Sequence, residues 1–218
     1  MFVKIFIPIL LSFAITAVLG PILIPFLRKL KVGQTEREEL ESHQVKTGTP
    51  TMGGIMILIA VSVTSVIFLR DYPRIIPILF LTVGFGIIGF LDDYLKVVLR
   101  RPDGLLAWQK MLLQIVVTSI FAYYLLHYTD VSLAMLIPFS GGKYLDLGWL
   151  AVPFLYIVVI GTVNGVNFTD GLDGLASSVT VLVAVFFTVV AVGMNSGIEP
   201  ITCAVVGALM GFLLFNVY

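Results

Sequence analysis

The chain has 218 residues, of which 59% are hydrophobic and 12% charged, with a mean hydropathy of +1.07 and no formal net charge. Its apolar fraction exceeds the roughly 45–50% of soluble domains, and its neutral charge gives no indication of a nucleic-acid partner. The composition therefore predicts an integral membrane protein.

Seven apolar segments approach the length of about 20 residues that a membrane-spanning helix needs. They cover residues 5–27, 52–69, 75–91, 105–126, 147–163, 175–194 and 201–217. Helices are expected because lipid leaves the backbone no partner outside the segment, and the alternation of a β-barrel is absent. The predicted fold is an all-α, polytopic helical bundle, with a small hairpin around Gly141-Gly142 between the fourth and fifth spans.

Basic residues predict the orientation of the bundle, because Lys and Arg concentrate on the cytoplasmic side. Counting spans alternately puts four of them on one side: Lys4, Arg70, Arg74 and Lys143. The larger set on the other side is Arg28, Lys29, Lys31, Arg37, Lys46, Lys96, Arg100, Arg101 and Lys110. The N-terminus is therefore predicted outside, and the loops at 28–51, 92–104 and 164–174, together with Asn216, on the cytoplasmic face.

Adjacent carboxylates, Asp92 and Asp93, close the third span. Such a pair usually has a cation between its members, and Lys96 lies three or four residues away from both. A solvated helix end with a surface ion pair is one reading of this segment. A site for a phosphate or a magnesium ion is the sharper one, because Mg²⁺ prefers hard oxygen ligands.

The segment Asn164-Gly-Val-Asn167-Phe-Thr-Asp170-Gly-Leu-Asp173-Gly174 concentrates polar groups between two apolar spans. If residues 170–173 form one helical turn, the carboxylates of Asp170 and Asp173 share a face. A polar connector whose glycines only make the turn is the simpler alternative. The two carboxylates and two amides favour a loop that binds a polar ligand.

A third polar segment, Lys46-Thr-Gly-Thr-Pro-Thr51-Met-Gly-Gly54, precedes the second span. Hydroxyls, glycines and a proline at a helix start are ordinary capping residues. They also suit an anion site, because unpaired N–H groups point outwards there, and Lys46 favours phosphate.

These three segments together resemble the bacterial phospho-N-acetylmuramoyl-pentapeptide transferase family. It is a branch of the polyprenyl-phosphate N-acetylhexosamine-1-phosphate transferase superfamily, also called glycosyltransferase family 4. The resemblance implies an enzyme of about ten helices, often a homodimer, in the bacterial plasma (inner) membrane with its active site on the cytoplasmic face. It would transfer phospho-MurNAc-pentapeptide from UDP-MurNAc-pentapeptide to undecaprenyl phosphate, giving lipid I and UMP with Mg²⁺, a first membrane step of peptidoglycan synthesis.

The resemblance also implies roles for individual residues. Asp92, Asp93 and Lys96 match the catalytic residues, and Asp93 and Asn167 would lie at the metal. The positions that would bind substrate are Lys46, Thr51, Asn167, Asp170, Gly171, Asp173 and Asn216. The family continues beyond Tyr218 into a segment with the principal metal-binding aspartate, so the chain is expected to be the N-terminal portion of one transmembrane domain, inactive alone.

Three rival functions remain open. A sister transferase that uses UDP-GlcNAc is the nearest, and the Thr-Pro-Thr-Met-Gly-Gly segment is the argument against it. An ion-coupled transporter also places carboxylates in membrane helices, although near the bilayer midplane. An intramembrane aspartyl protease would need its aspartates within helices, whereas these are predicted at loops.

Overall fold

The computed structural model describes residues 2–31, 52–129, 132, 134–137 and 139–216. Its helices are α1 (Phe2–Lys31), α2 (Gly54–Phe68), α3 (Ile75–Val97), α4 (Ala107–Tyr128), α5 (Ala151–Thr169), α6 (Leu175–Met194) and α7 (Glu199–Asn216). Between α4 and α5 lie a two-stranded antiparallel hairpin, β1 (Met135–Leu136) and β2 (Tyr144–Leu145), and a 3₁₀ turn at Gly148–Leu150. The predicted helical bundle and hairpin are confirmed.

Six of the described helices are long and apolar enough to cross a membrane, whereas α2 has 15 residues. At 1.5 Å per residue α2 extends only about 22 Å, against about 30 Å for the hydrocarbon core. The predicted bounds of two helices were wrong. The third helix continues past position 91 to Val97, and the fifth runs from Ala151 to Thr169 instead of 147–163. In both cases, polar residues that were predicted in loops lie on helices.

The core of the bundle is where α1, α2 and α7 meet. Gly207 of α7 lies directly against the backbone of α1, so that a Cβ atom there would overlap the carbonyl oxygen of Ile9. Such close approach through small residues is how membrane helices gain packing contacts without help from the hydrophobic effect. The apolar cluster beside it joins α2, the start of α3 and α7, and consists of Ala60, Val61, Phe68, Ile75, Ile201 and Ala208.

One end of this core carries a buried ion pair. The Lys4 Nζ atom of α1 lies 3.1 Å from the Glu199 Oε1 atom of α7, and the Glu199 side chain is fully buried. At the opposite end of the bundle, Leu27, Met52 and Val97 pack together. We call these the hairpin end and the aspartate end, because β1 and β2 lie at the first and Asp92 at the second.

Candidate functional site

The aspartate pair lies on the last turns of α3. The helix continues through these charges because Lys96 Nζ donates to Asp92 Oδ2 at 2.8 Å, one turn further along. An acidic residue four positions before a lysine stabilises a helix, and a lysine in the last turn suits the helix dipole. The predicted ion pair is confirmed for Asp92, which is buried, whereas the side chain of its partner Lys96 is 40% exposed.

Asp92 is held from both sides. Its Oδ1 atom accepts a hydrogen bond from the backbone N–H of Leu105 at 2.8 Å, and Lys110 Nζ lies 3.9 Å from Oδ2. Gly104 makes this possible, since its φ is +61° and a Cβ atom there would meet Asp92 Oδ1 and the Lys96 side chain. Asp92 therefore ties the end of α3 to the start of α4.

Asp93 differs from its neighbour. Among the residues that the structure describes, its carboxylate accepts no hydrogen bond, although it is half-buried and in electrostatic range of Lys96, Lys110 and Asp170. It lines a cavity of about 610 Å³ together with Asp92, Lys110 and Asn167. The two carboxylates therefore have different surroundings. The Asp92 carboxylate accepts hydrogen bonds from Lys96 and Leu105, whereas the Asp93 carboxylate is available to a ligand.

The rest of this cavity is apolar. Residues of α2 and α3 form its walls, including Leu58, Ile59, Val63, Val83, Ile87 and Phe90. A mainly apolar cavity whose lining also carries carboxylates, an amide and a lysine suits a molecule with a hydrocarbon chain and a polar head.

The polar segment at 164–174 is divided between a helix and a turn. Asn164 and Asn167 lie on the last turns of α5, which ends at Thr169. Residues 170–174 form a turn outside α5, so the condition for a shared helical face of Asp170 and Asp173 is not met. Asp170, Gly171 and Asp173 are exposed at the aspartate end, outside the set of residues that lines the cavity.

Asn164 has a structural partner that its neighbours in sequence do not indicate. Its Nδ2 atom donates to Gln114 Oε1 of α4 at 2.9 Å, and Gln114 Nε2 lies 3.4 Å from Asn164 Oδ1. Gln114 is buried, so this amide pair joins α4 to α5 inside the bundle. It sets the register of the helix that brings Asn167 to the cavity.

The remaining predicted site residues do not join the cavity in the described part of the chain. Asn216 ends α7 at the aspartate end without lining the cavity. Lys46 and Thr51 lie outside the described residues. Lys110 and Gly104 were not among the predicted site residues. The turn signal Pro-Asp-Gly at 102–104 indicates an unusual backbone at Gly104, whereas no local pattern marks Lys110.

The described residues contain no group of three His, Cys, Asp or Glu side chains that could hold a metal ion. Two residues with oxygen-bearing side chains, Asp93 and Asn167, line the cavity. Mg²⁺ typically takes only one or two protein carboxylates and completes its shell with water and substrate phosphates. The residues present therefore fit magnesium as partial ligands.

A family model and individual known proteins both show similarity to this chain. A family model described as glycosyl transferase family 4 matches residues 75–218. A phospho-N-acetylmuramoyl-pentapeptide-transferase of Acetivibrio thermocellus is 49% identical over 213 residues, which cover 96% of this chain and 64% of that protein. Proteins of the same name from Bacillus subtilis and Clostridium kluyveri are each 43% identical, with this chain spanning 66% and 68% of their lengths.

Proposed function

Because the chain belongs to glycosyl transferase family 4, we propose that it transfers a phosphosugar from a soluble nucleotide to a lipid phosphate. The substrates would be UDP-MurNAc-pentapeptide and undecaprenyl phosphate, and the products lipid I and UMP. The proposal includes Mg²⁺, a homodimer, the bacterial inner membrane and a site on its cytoplasmic face. The names of the relatives from A. thermocellus and B. subtilis support the choice of the muramoyl-pentapeptide branch.

The observation that carries the proposal is the mainly apolar cavity whose lining includes Asp93 and Lys110. One substrate must remain in the bilayer while the other comes from water. The apolar lining from α2 and α3 suits a polyprenyl chain, and the polar lining residues suit a lipid phosphate beside a basic residue. A transporter would instead concentrate its carboxylates near the bilayer midplane, and here they lie at one end of the bundle.

In this mechanism Asp93 either removes the proton from the lipid phosphate as a general base, or itself attacks the sugar-bearing phosphorus as a nucleophile, so that UMP leaves and the lipid phosphate then displaces Asp93. Lys110 and Lys96 offset the negative charge that develops as the phosphate attacks the pyrophosphate. Asp92 positions the reaction by holding Lys96 and the backbone of Leu105. Magnesium bound by Asp93 and Asn167 would supply Lewis-acid stabilisation of the phosphate oxygens.

Substrate choice tests the proposal directly. The full-length protein that contains this chain, purified into lipid vesicles with undecaprenyl phosphate, should release UMP from UDP-MurNAc-pentapeptide, and a chelator should stop the release. UDP-GlcNAc under the same conditions should give none. Turnover of UDP-GlcNAc alone would identify the sister activity, and solute uptake without nucleotide turnover would identify a transporter.

The exposed turn after α5 should contribute nucleotide affinity. Replacing Asp173 with alanine should weaken binding of the uridine nucleotide by roughly tenfold, as expected for loss of one polar contact worth about 1.5 kcal/mol. Calorimetric titration of UDP-MurNAc-pentapeptide measures the change. Asp146→Ala, directly after β2 at the hairpin end, serves as the control. Unchanged affinity in Asp173→Ala would remove this residue from the binding site.

A further inference from the structure

A second cavity of about 500 Å³ lies beyond the end of α3 and has no assigned role. It shares no lining residue with the aspartate cavity. Its lining carries two guanidinium groups, those of Arg100 and Arg101, and one carboxylate, that of Asp103. Both arginines are exposed, and within the described ranges neither guanidinium forms an ion pair. The cavity therefore presents excess positive charge to whatever enters it.

The backbone holds these two arginines in a defined loop. Arg100 adopts a left-handed conformation with φ of 53°, which is unusual for a residue with a side chain. The Arg101 N–H donates to the Leu95 carbonyl at 3.0 Å, and the Gly104 N–H donates to the Arg101 carbonyl at 3.0 Å. Residues with an uncommon backbone conformation, such as Arg100, are frequent at sites that hold a ligand.

The surroundings of the cavity are those of a membrane interface. It lies where α3 ends and α4 begins, and both helices are long and apolar enough to span a bilayer. Leu106 lines the cavity and is exposed, and so are Leu99 and Trp108, which adjoin lining residues in sequence. Tryptophan favours the level of the lipid head groups. This apolar rim would contact acyl chains, which a free phosphate ion does not have.

We propose that the Arg100–Arg101 cavity binds the phosphate group of an anionic bilayer phospholipid. Guanidinium groups bind phosphate oxygens through paired, charge-assisted hydrogen bonds. Basic residues at a membrane surface also attract anionic lipids, roughly fivefold for each residue. The site is distinct from the proposed transferase site, and lipid binding there requires no catalytic activity.

The two sites are nevertheless joined through the backbone. Leu105 lines the arginine cavity and donates its N–H to Asp92. A lipid head group held by Arg100 and Arg101 would therefore restrain the loop that orients the buried aspartate.

Tryptophan quenching by brominated lipids tests the proposal. A Trp149→Phe background leaves Trp108 as the single tryptophan of the 218-residue sequence, one position before the lining residue Gln109. The protein is placed in phosphatidylcholine nanodiscs with a minor share of phosphatidylglycerol. Quenching is compared between a sample with brominated phosphatidylcholine and a sample with brominated phosphatidylglycerol. The relative binding constant at Trp108 should favour phosphatidylglycerol by more than fivefold. Arg100→Gln with Arg101→Gln should bring it close to parity.

The matched control is Arg28→Gln with Lys29→Gln, which removes two exposed basic groups at the same end of the bundle but outside the cavity. This variant should keep the preference, because general surface charge is not the proposed cause. An equal loss in both double variants would overturn the proposal, as would the absence of any preference in the starting protein. If inorganic phosphate at matched ionic strength abolishes the preference, the cavity binds free phosphate and the lipid assignment is wrong.

Discussion

Replacing Asp93 with asparagine should abolish phosphosugar transfer while leaving the protein folded. Asparagine keeps the size of the side chain but removes its charge and its capacity to accept a proton. Loss of a general base typically costs 10²–10⁴-fold in rate, and loss of a nucleophile costs more. Because Asp93 accepts no hydrogen bond among the described residues, the change breaks no observed contact. UMP release in lipid vesicles and the thermal unfolding midpoint measure the two effects.

Asp92→Asn and Asp71→Asn provide the comparison for this result. Asp92→Asn disturbs the contacts with Lys96 and Leu105, so it should lower both activity and stability. Asp71 is exposed in the turn between α2 and α3, away from the cavity, and its replacement should change neither. Turnover near the unmodified rate in Asp93→Asn would assign the chemistry to another group.

Gly207→Val should produce the largest loss of stability in the described bundle. The added side chain would meet the backbone carbonyl of Ile9, which cannot rotate away as a side chain can. Overpacking a well-packed core costs roughly 1–3 kcal/mol, and the contact with backbone places this case at the upper end. We expect α1 and α7 to separate, seen as a lower unfolding midpoint in detergent and a poor yield of folded protein.

Gly161→Val in α5 is the matched control, because a Cβ atom there meets nothing within 4 Å. It makes the same change of residue in a membrane helix without the steric conflict. Similar midpoints for the two variants would show that α1 and α7 do not approach as closely as the structure indicates. Gly207→Ala should give an intermediate result, because the first added carbon already overlaps Ile9.

The sequence predicted the number and order of the helices because apolar runs long enough to span a bilayer have few alternative structures. It did not predict where helices end. Hydropathy marks where apolar residues stop, whereas α3 continues through Asp92 and Lys96 because their ion pair and the Leu105 hydrogen bond stabilise the last turns. The same limit hid the helical position of Asn167.

The candidate site was likewise predictable only in part. The aspartate pair and Asn167 were recognised from local motifs, and the structure brings them to one cavity. The pairing of Gln114 with Asn164 spans 50 positions, and no local pattern encodes which partner a buried amide will find. The difference between Asp92 and Asp93 likewise depends on a loop that folds back, so that the N–H of Leu105 reaches Asp92, 13 positions earlier. Adjacent aspartates look equivalent in a sequence and become different only in three dimensions.

The pairing of α1 with α7 has a consequence for how the protein is made. Lys4 and Glu199 are 195 positions apart, and Gly207 packs against a helix that is synthesised first. At roughly 5–20 residues per second, α1 waits on the order of ten seconds or more for its main partner. During that interval the Ser12 and Thr16 side chains, buried in the finished bundle, face lipid or a temporary neighbour. Helix α1 thus reaches its final contacts only after α7 has been made.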